Sequence, residues 1–255
     1  MPLYYTAESV TEGHPDKLCD LIADSVLDAC LVQDALARVA CEVLATSGHI
    51  VVAGEISTGA RPDIPGIARD VLSRVGYDPT RFVIHDLTHR QSPDIADGVS
   101  QSLEVRTGST GRDGLYQFGA GDQGVMVGYA TDETPEFLPL PVVLAHRLTK
   151  TLAAVRKSRQ APGLLPDGKA QVTVEYAENG RPLRLDSVVV SAQHDACLGQ
   201  EDVVQIVTTL VLPAALSDLP PDCDTKLLIN PSGRFVRGGP EADTGLTGRK
   251  LMVDS

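Results

Sequence analysis

The sequence predicts an α+β fold made of repeated units, each a sheet covered by helices on one face. Three observations support this prediction. The chain has 255 residues, of which 42% are hydrophobic, so it can form two domains or one large one with a substantial core. Amphipathic helical stretches alternate with pairs of strand-like stretches that flank short turns. The order helix, hairpin, helix, strand then occurs twice, although residue identity between the two halves is faint.

The first helix is predicted over residues 15–32. Pro15 suits the first helical position because it has no N–H to leave unpaired. Asp16 falls in the first turn, where the positive end of the helix dipole favours a carboxylate and leaves an oxygen ligand for a hard cation. His14 lies just outside the helix, and the same field favours its neutral ring, which could donate a hydrogen bond to a developing anion. On spacing alone, a capping histidine beside a solvated aspartate is the simpler interpretation.

A hairpin follows, with strands over 38–46 and 49–56 around Ser47-Gly48. If residue 46 pairs with residue 49, paired positions sum to 95 and one face of the hairpin is apolar. That face carries Val39, Cys41, Val43, Ala45, Ile50, Val52, Gly54 and Ile56. Glu42 and Glu55 then lie on the other face as diagonal neighbours, about 7–8 Å apart at their Cα atoms. They would repel each other unless a cation or an ammonium group lies near, and a solvated sheet face is the alternative.

The remaining elements complete the two repeats. A helix over 63–75 ends at Gly76, which suits a left-handed C-cap, and a strand over 82–87 follows. The second half is predicted to contain a helix over 141–159, strands over 170–176 and 183–191 around Asn179-Gly180, a helix over 201–212 and a strand over 226–229. Between residues 95 and 117 the periodicity fails, which is typical of a long loop that is either disordered or a functional lid.

The composition limits the kinds of partner. A formal net charge of −12 argues against a general surface for nucleic acid or anionic membranes, so phosphate chemistry would need a local cationic site or metal ions. The five cysteines form no Cys-x-x-Cys pair and are expected to be small core residues. Because we find no signal peptide and no apolar run of membrane-spanning length, we expect a cytoplasmic protein with reduced thiols.

Two segments could bind phosphate groups. Lys169 opens a strand directly after Pro166-Asp167-Gly168, and Arg249 with Lys250 closes a segment rich in glycine. Glycines let backbone N–H groups approach an anion closely, and the adjacent basic side chains add charge. A flexible turn with solvated basic residues is the common alternative for each segment.

Other patterns in the sequence do not indicate a site. Gly119-x-Gly121-x-x-Gly124 fits a dinucleotide fingerprint, but residues 125–129 after it have the pattern of a strand instead of the required helix. The histidines other than His14 lack the spacing of a transition-metal site. His194, Ser191 and Asp195 come from one short strand end, so they cannot easily converge as a catalytic triad.

The segment from Glu8 to Lys17, which reads Glu-Ser-Val-Thr-Glu-Gly-His-Pro-Asp-Lys, resembles the signature of the S-adenosylmethionine synthetases (methionine adenosyltransferases). Five further segments resemble the same family in the same order. They are Gly54 to Thr58, Gln91 to Ile95, Gly119 to Gly124, Asp167 to Lys169, and the run from Ile229 to Lys250. The resemblance covers essentially the whole chain. It stops at Ser255, whereas family members continue further, so we expect the chain to lack the C-terminal part.

The resemblance implies sheet-and-helix units related by pseudo-threefold symmetry, with the third unit incomplete. It implies an N-terminal α+β unit over 3–98, a mobile active-site loop over 99–117, a central α+β unit over 118–235 and the beginning of a truncated C-terminal unit over 236–255. The implied reaction is synthesis of S-adenosylmethionine. The methionine sulfur attacks C5′ of ATP, and the released triphosphate is hydrolysed to phosphate and diphosphate. If this chain is the complete product, the third unit is only begun, and we expect it to bind ATP weakly and to turn over poorly or not at all.

The resemblance also implies roles for residues at matching positions. His14 and Lys169 would be catalytic, with His14 donating to the ribose-side oxygen of the leaving triphosphate. Asp16 would hold Mg²⁺, with about two Mg²⁺ ions per site, and Glu42 would lie at a K⁺ site. The ATP-binding residues would be His14, Asp167, Gly168, Lys169, Arg234, Phe235, Asp243, Arg249 and Lys250. The methionine-binding residues would be Glu55, Gln91, Asp122 and Asp243.

The expected partners are ATP, L-methionine and further copies of the chain. Active sites of the family lie between two subunits, so the resemblance implies a homodimer or a dimer of dimers, without nucleic acid or membrane. Two alternatives stay open. One is a truncated, non-catalytic homologue that binds or regulates a full-length synthetase. The other is a metal-dependent nucleotide triphosphatase that uses the same phosphate site without methionine.

Overall fold

The computed structural model describes residues 3–99, 102–108 and 125–254. Within these ranges the chain forms two four-stranded sheets with helices packed on them, which confirms the predicted α+β class. The strands are β1 (Leu3–Val10), β2 (Arg38–Thr46), β3 (His49–Ser57), β4 (Val83–His89), β5 (Leu164–Tyr176), β6 (Pro182–His194), β7 (Lys226–Ile229) and β8 (Gly245–Leu246). The helices are α1 (Pro15–Leu31), α2 (Ile64–Val75), α3 (Pro93–Val99), α4 (Leu103–Arg106), α5 (Leu140–Lys157), α6 (Gln200–Ile206), α7 (Leu212–Ala215) and α8 (Leu251–Asp254).

The first sheet has the strand order β4-β3-β2-β8 and contains the predicted hairpin. β2 and β3 pair in the predicted register, with Thr46 opposite His49 and Val43 opposite Val52. The apolar face packs on α1 and α2. Its core includes the buried residues Leu18, Ile22, Val26, Val43, Ala45, Ile50, Val52, Val71 and Leu72. Because side chains alternate along a strand, Glu42 and Glu55 lie on the opposite face from this core, as predicted.

The second sheet has the strand order β1-β5-β6-β7 and packs on α5 and on the helical segment 200–215. That segment was predicted as one helix over 201–212. It instead consists of α6, a π-helical turn over Val207–Val211, and α7. Pro213 lies at the start of α7, where its missing N–H interrupts the regular α-helical hydrogen bonds.

Two strands connect the halves in a way that sequence periodicity did not indicate. β1 pairs antiparallel with β5, so that Val10 lies opposite Lys169. β8 joins the first sheet, with Gly245 opposite Ala45. β1 therefore belongs to the sheet of the second half, although the predicted N-terminal unit spans 3–98. The consequence for function is that the start of α1, the start of the regular part of β5 and the segment 245–250 meet in one region.

Two local predictions were wrong. Residues 125–129 do not form a strand, and Val125, Met126 and Val127 are each about 90% exposed. No strand in the described part of the chain pairs with them, and β propensity without a pairing partner does not make a strand. The predicted loop over 95–117 contains helical residues of α3 and α4 in its described portion. The rest of the predicted active-site loop lies outside the described residues.

The cysteines divide into two groups. Cys19 and Cys30 are fully buried and Cys41 is partly buried, as expected of small core residues. Burial raises the pKa of the Cys19 thiol to about 12, which keeps it protonated and unreactive. Cys197 and Cys223 are exposed, so the prediction of a core position was wrong for these two. Among the helices in the described ranges, none combines the length and the apolar character needed to cross a bilayer.

Candidate functional site

His14 caps the N-terminus of α1. Its backbone is extended, and its Nδ1 accepts a hydrogen bond from the backbone N–H of Asp16 at 3.2 Å. Because Nδ1 is an acceptor, a neutral ring carries its proton on Nε2, where it can be donated. Burial and the nearby ammonium of Lys250 lower the pKa of His14 to about 4. The ring is therefore neutral at pH 7. His14 thus caps α1 with Nδ1 and, as a neutral ring, still has a proton on Nε2 to donate.

Asp16 is buried in the first turn of α1 and binds the far end of the chain. Its Oδ1 accepts the backbone N–H of Leu246 at 3.0 Å, and its Oδ2 forms an ion pair with Nζ of Lys250. Nε of Arg249 lies 3.7 Å from Oδ1. Burial opposes ionisation, but the hydrogen bonds from Lys250 and Leu246 outweigh it and lower the pKa of Asp16. The carboxylate is thus charged and surrounded by cations, and the alternative of a solvated aspartate was wrong.

Gly245 fits this contact because it has no side chain. A Cβ atom at Gly245 would lie 2.3 Å from the carbonyl carbon and oxygen of Pro15. The segment 245–250 can therefore approach the start of α1 only with glycine at this position.

Asp167 forms the second part of the site. It is 7% exposed, and its Oδ2 accepts the backbone N–H of Gly239 at 2.7 Å. The backbone N–H of Thr11 donates to the carbonyl of Gly168 at 2.8 Å, which holds the turn 166–168 against the segment before α1. Burial raises the pKa of Asp167. The predicted phosphate-binding turn is therefore fixed next to His14.

Lys169 and Asp243 complete the group of charges around His14. The positive charge of Lys169 lowers the pKa of His14, and the negative charge of Asp243 raises it, so both charges lie close enough to act on the ring. Both side chains are exposed to solvent. The structure thus brings together the predicted residues His14, Asp16, Asp167, Lys169, Asp243, Arg249 and Lys250. We call this group the charged cluster.

Asp167→Asn is expected to make the protein more stable at pH 7. Because the pKa of Asp167 is raised in the fold, its contribution to stability is complete below the ordinary aspartate pKa of 3.8 and is lost as the pH rises through the folded-state pKa. Asparagine keeps an oxygen for the Gly239 N–H and carries no charge. Urea unfolding should therefore give a larger free energy of unfolding for the variant than for the parent at pH 7, and the difference should disappear near pH 4.

The matched control for that substitution is Asp70→Asn on the exposed surface of α2. It should leave the free energy of unfolding unchanged at both pH values. Equal stability of the Asp167→Asn variant and the parent at pH 7 would contradict a burial cost at Asp167. We also expect the variant to bind nucleotide more weakly, since Asp167 is a predicted ATP contact.

Glu42, Glu55 and Gln91 are predicted site residues that are not part of the charged cluster. Glu42 accepts a hydrogen bond from the hydroxyl of Thr247, which also accepts the backbone N–H of Val43 at 3.3 Å. Glu55 is paired with His89, whose Nε2 lies 3.4 Å from a carboxylate oxygen. Gln91 is partly buried just before α3. Thr247 therefore links Glu42 to the segment that carries Lys250, whereas Glu55 contacts a histidine that the sequence analysis did not connect with it.

Phe235 is held by His194 at the end of β6. The backbone N–H of His194 donates to the carbonyl of Phe235 at 3.0 Å, and the N–H of Phe235 donates to Nε2 of His194 at 3.2 Å. The side-chain amide of Asn230 forms hydrogen bonds with both the N–H and the C=O of Ala192, at 2.7 and 3.0 Å. Arg234 is exposed. Both ring nitrogens of His194 contact backbone groups, so the ring is not placed to act in a catalytic triad.

Several residues that shape the site were not predicted as site residues. They are Gln193, His194, Asn230, Thr247 and Tyr77, whose hydroxyl donates to the carbonyl of Gly13 at 2.6 Å. Their partners lie tens to hundreds of positions away in the sequence, so no spacing could have identified them. Asp122, predicted to contact methionine, lies outside the described residues.

Asp16 is the best candidate ligand for a divalent cation. Within the described ranges, no group of three or more His, Cys, Asp or Glu residues could enclose a metal ion. A buried carboxylate that already holds an ammonium group is nevertheless chemically suited to a hard cation. Mg²⁺ is usually held by one or two carboxylates together with substrate phosphates and water. At Glu42, a carboxylate and the hydroxyl of Thr247 are oxygen donors of the kind that a monovalent cation accepts.

Comparisons with known proteins match both halves of the chain to one family. Residues 2–97 match the family model for the S-adenosylmethionine synthetase N-terminal domain, and residues 117–235 match the model for the central domain. The chain is 49% identical over 263 residues to the S-adenosylmethionine synthase of Desulforudis audaxviator (strain MP104C), an alignment that covers 98% of this chain and 65% of that protein. It is 48% identical over 262 residues to the S-adenosylmethionine synthase of Pseudothermotoga lettingae (strain ATCC BAA-301 / DSM 14385 / NBRC 107922 / TMO). That alignment covers 100% of this chain and 66% of that protein.

The chain therefore spans just under two thirds of the length of these relatives. The two domain models account for most of it, and residues 98–116, which lie between them, fall within the stretch 95–117 that was predicted to be a loop. The chain belongs to the S-adenosylmethionine synthetase family, of which it carries the N-terminal and central domains.

Proposed function

We propose that this chain acts in the synthesis of S-adenosylmethionine from ATP and L-methionine, with triphosphate released and then hydrolysed to phosphate and diphosphate. The observation that carries the proposal is the charged cluster at the start of α1. Three basic side chains, Lys169, Arg249 and Lys250, gather there in a protein whose net charge is −12. The cluster also contains Asp16, Asp167 and Asp243, so it offers a polyphosphate three cationic contacts beside carboxylates that could hold its metal ions.

The chemical problem is the leaving group. When the methionine sulfur attacks C5′, negative charge grows on the oxygen that links the ribose to the triphosphate. Fixed donors aimed at that oxygen stabilise the transition state more than the ground state. His14 is suited to this role because its ring is neutral and its Nε2–H is the proton available for donation. Lys169, Arg249 and Lys250 would neutralise the charge along the phosphate chain.

Five further residues would contact ATP beside the charged cluster's cations and His14. Asp167 and Gly168 would present the turn before β5 to the nucleotide, and Phe235 would offer its ring for stacking on adenine. Arg234 and Asp243 are the remaining proposed ATP contacts. Asp243 would also be close to methionine, whose ammonium group Glu55, Gln91 and Asp122 would recognise.

We propose Mg²⁺ and K⁺ as the metal cofactors. Asp16 would hold Mg²⁺, of which about two are expected per site, and Glu42 would lie at the K⁺ site. When bound, Mg²⁺ supplies positive charge that neutralises the departing triphosphate. In the structure, the positive charge next to the Asp16 carboxylate is the ammonium of Lys250.

The proposed assembly is a homodimer or a dimer of dimers with active sites between subunits, in the cytoplasm. Glu55 contacts His89, outside the charged cluster, which is compatible with a site completed by a second subunit. We propose no nucleic-acid or membrane partner, since the net charge of −12 disfavours anionic surfaces.

The test is an assay with ATP, Mg²⁺ and K⁺, with and without L-methionine, combined with calorimetric titration of ATP. Methionine-dependent formation of S-adenosylmethionine with phosphate and diphosphate would support the proposal. Phosphate release that does not need methionine would indicate a triphosphatase. ATP binding without any turnover would favour the non-catalytic homologue, and the absence of ATP binding would overturn the proposed site altogether.

A further inference from the structure

We propose that Gln193 and His194, the last two residues of β6, are positioning residues for the adenine side of the nucleotide site. They would hold the ring of Phe235 and the turn at Asp167 in one fixed arrangement. This inference rests on the proposed function, because it assumes that Phe235 stacks on adenine. Neither residue was predicted to contact a substrate, and the argument depends only on what their side chains bind.

His194 fixes the backbone of Phe235 from two sides. The residue is 1% exposed. Its backbone N–H binds the Phe235 carbonyl, its Nε2 accepts the Phe235 N–H, and its Nδ1 lies 2.9 Å from the carbonyl oxygen of Asp195. Since Asp195 offers an acceptor and Phe235 offers a donor, both contacts are satisfied by the neutral ring with its proton on Nδ1. Rotation of the Phe235 backbone would break the Phe235–His194 hydrogen bonds.

Gln193 joins the segment of Phe235 to the turn of Asp167. Its side chain is buried, with Oε1 accepting the backbone N–H of Asp167 at 3.2 Å and Nε2 donating to the carbonyl of Val236 at 3.1 Å. The carboxylate of Asp167 in turn accepts the N–H of Gly239. One amide side chain therefore connects two segments that are 69 positions apart in the sequence and that both carry proposed ATP contacts.

The packing around these contacts is close. A Cβ atom at Gly238 would lie 2.8 Å from Cδ of Gln193 and 2.8 Å from Cε2 of Phe235. Gly238 thus lies against both the Gln193 side chain and the Phe235 ring with no room for a side chain between them. The ring of Phe235 is held by packing as well as by backbone hydrogen bonds.

Pairing between β6 and β7 does not hold the end of β6 in place. β7 pairs with β6 only as far as Val190, which lies opposite Ile229, so residues 192–194 have no β7 neighbour. Side chains take the place of the missing strand: Asn230 binds the backbone of Ala192, and Gln193 and His194 bind the segment 235–236. Stacking on a base requires a ring in a defined orientation, and small misplacements weaken it strongly. We therefore assign Gln193 and His194 to the orientation of Phe235.

The experiment is calorimetric titration of the chain with Mg·ATP and, separately, with inorganic triphosphate. His194→Ala should weaken ATP binding by about tenfold, the scale of one lost base-stacking contact. Triphosphate binding should change by less than about twofold, because the charged cluster does not include His194. If His194 were only a core residue, its substitution would not weaken ATP binding more than triphosphate binding.

Rescue and control variants sharpen the result. His194→Gln keeps a side-chain acceptor for the Phe235 N–H and should recover most of the ATP affinity. Gln193→Leu removes the hydrogen bond to the Val236 carbonyl without adding a charge beside Asp167, and it should reproduce the selective loss of ATP affinity even if His194→Ala fails to fold. His85→Ala, which removes a partly buried histidine from the other sheet, should bind both ligands like the parent.

Coupling to Phe235 separates this inference from the proposed function. Phe235→Ala should weaken ATP binding about as much as His194→Ala, and the double variant should show little further loss. Unchanged ATP affinity in His194→Ala and Gln193→Leu, or an equal loss of ATP and triphosphate binding, would overturn the positioning role. A parent chain that binds neither ligand would instead overturn the proposed function.

Discussion

Asp16→Asn should abolish Mg²⁺-dependent nucleotide binding and also destabilise the fold. The amide keeps an acceptor for the Leu246 N–H but cannot pair with the ammonium of Lys250. Removing one partner of a buried ion pair typically costs about 3–5 kcal/mol, because the other charge is left uncompensated. We expect a loss near the lower end of this range, since Lys250 retains some solvent exposure. ATP affinity in the presence of Mg²⁺ should fall by about 100-fold, the upper end of the loss seen when a residue that supports a bound metal is removed. Urea unfolding and calorimetric titration measure the two effects.

Asp20→Asn is the matched control for this substitution. Asp20 lies one turn further along α1, accepts the Gly248 N–H at 3.0 Å and contacts Lys17 at 3.4 Å, so it too binds the segment 245–250. Because its ion pair is more exposed, we expect a loss of about 1 kcal/mol or less and an unchanged effect of Mg²⁺ on ATP binding. If the two variants lost ATP affinity equally, Asp16 would be an anchor for the chain end and not a metal ligand.

Gly13→Ala is expected to have the second large effect. A Cβ atom at Gly13 would lie 2.4 Å from the carbonyl carbon, carbonyl oxygen and Cβ of Pro166, none of which can move without moving the backbone. The turn 166–168 would have to shift, although the hydroxyl of Thr11 binds the Pro166 carbonyl at 2.7 Å. Overpacking of this kind typically costs about 1–3 kcal/mol, and we expect about 3 kcal/mol here because the obstruction is backbone.

The same substitution should reduce nucleotide binding, because it separates His14 from the turn that carries Asp167. Denaturant midpoints and ATP titration measure the two losses. Gly98→Ala provides the control: a Cβ atom at this position in α3 meets nothing within 4 Å. It should leave stability unchanged or raise it by up to about 1 kcal/mol, since alanine favours a helix. Parent-like stability of Gly13→Ala would show that the turn at Pro166 can move at little cost.

The local elements could be predicted because their signals lie within a few residues. Pro15 after a capping residue marked the start of α1, and the observed helix ends one residue before the predicted end. Ser47-Gly48 fixed the hairpin register, which in turn placed Glu42 and Glu55 on the face opposite the core. Gly76 ends α2 with φ of 107°, in the left-handed region that favours glycine. In each case the pattern and the structure are linked by sterics and hydrogen bonding over one or two turns of chain.

The errors have a common physical origin. Residues 125–129 have strand-like composition, but a strand needs a partner, and sequence composition does not specify whether one is present. The helix predicted over 201–212 contains a π-helical turn that hydrophobic periodicity alone does not reveal. Cys197 and Cys223 were assigned to the core by residue type, although burial is decided by the surrounding chain.

The sequence suggested several residues of the candidate site, but it did not show that they lie together. The helix dipole and capping pattern identified His14 and Asp16, and the glycine-rich turns pointed to Lys169 and Lys250, but each had a plausible alternative as a solvated residue. Their convergence required β1 to pair with β5 and β8 to pair with β2. Pairings between residues more than 100 positions apart depend on which strand edges remain free after the local elements have formed.

The α+β class, the helices and hairpins, their apolar faces and the residue types able to bind phosphate could all be inferred from the amino-acid sequence. Those properties follow from periodicity, capping and turn chemistry, which act between near neighbours in the chain. In contrast, the pairing of Asp16 with Lys250, 234 positions away, and the contacts of Gln193 and His194 with the segment of Phe235 are visible only in the folded chain. The reason is that burial and charge pairing depend on distance in space, and a distance across two sheets is set by the packing of the whole chain.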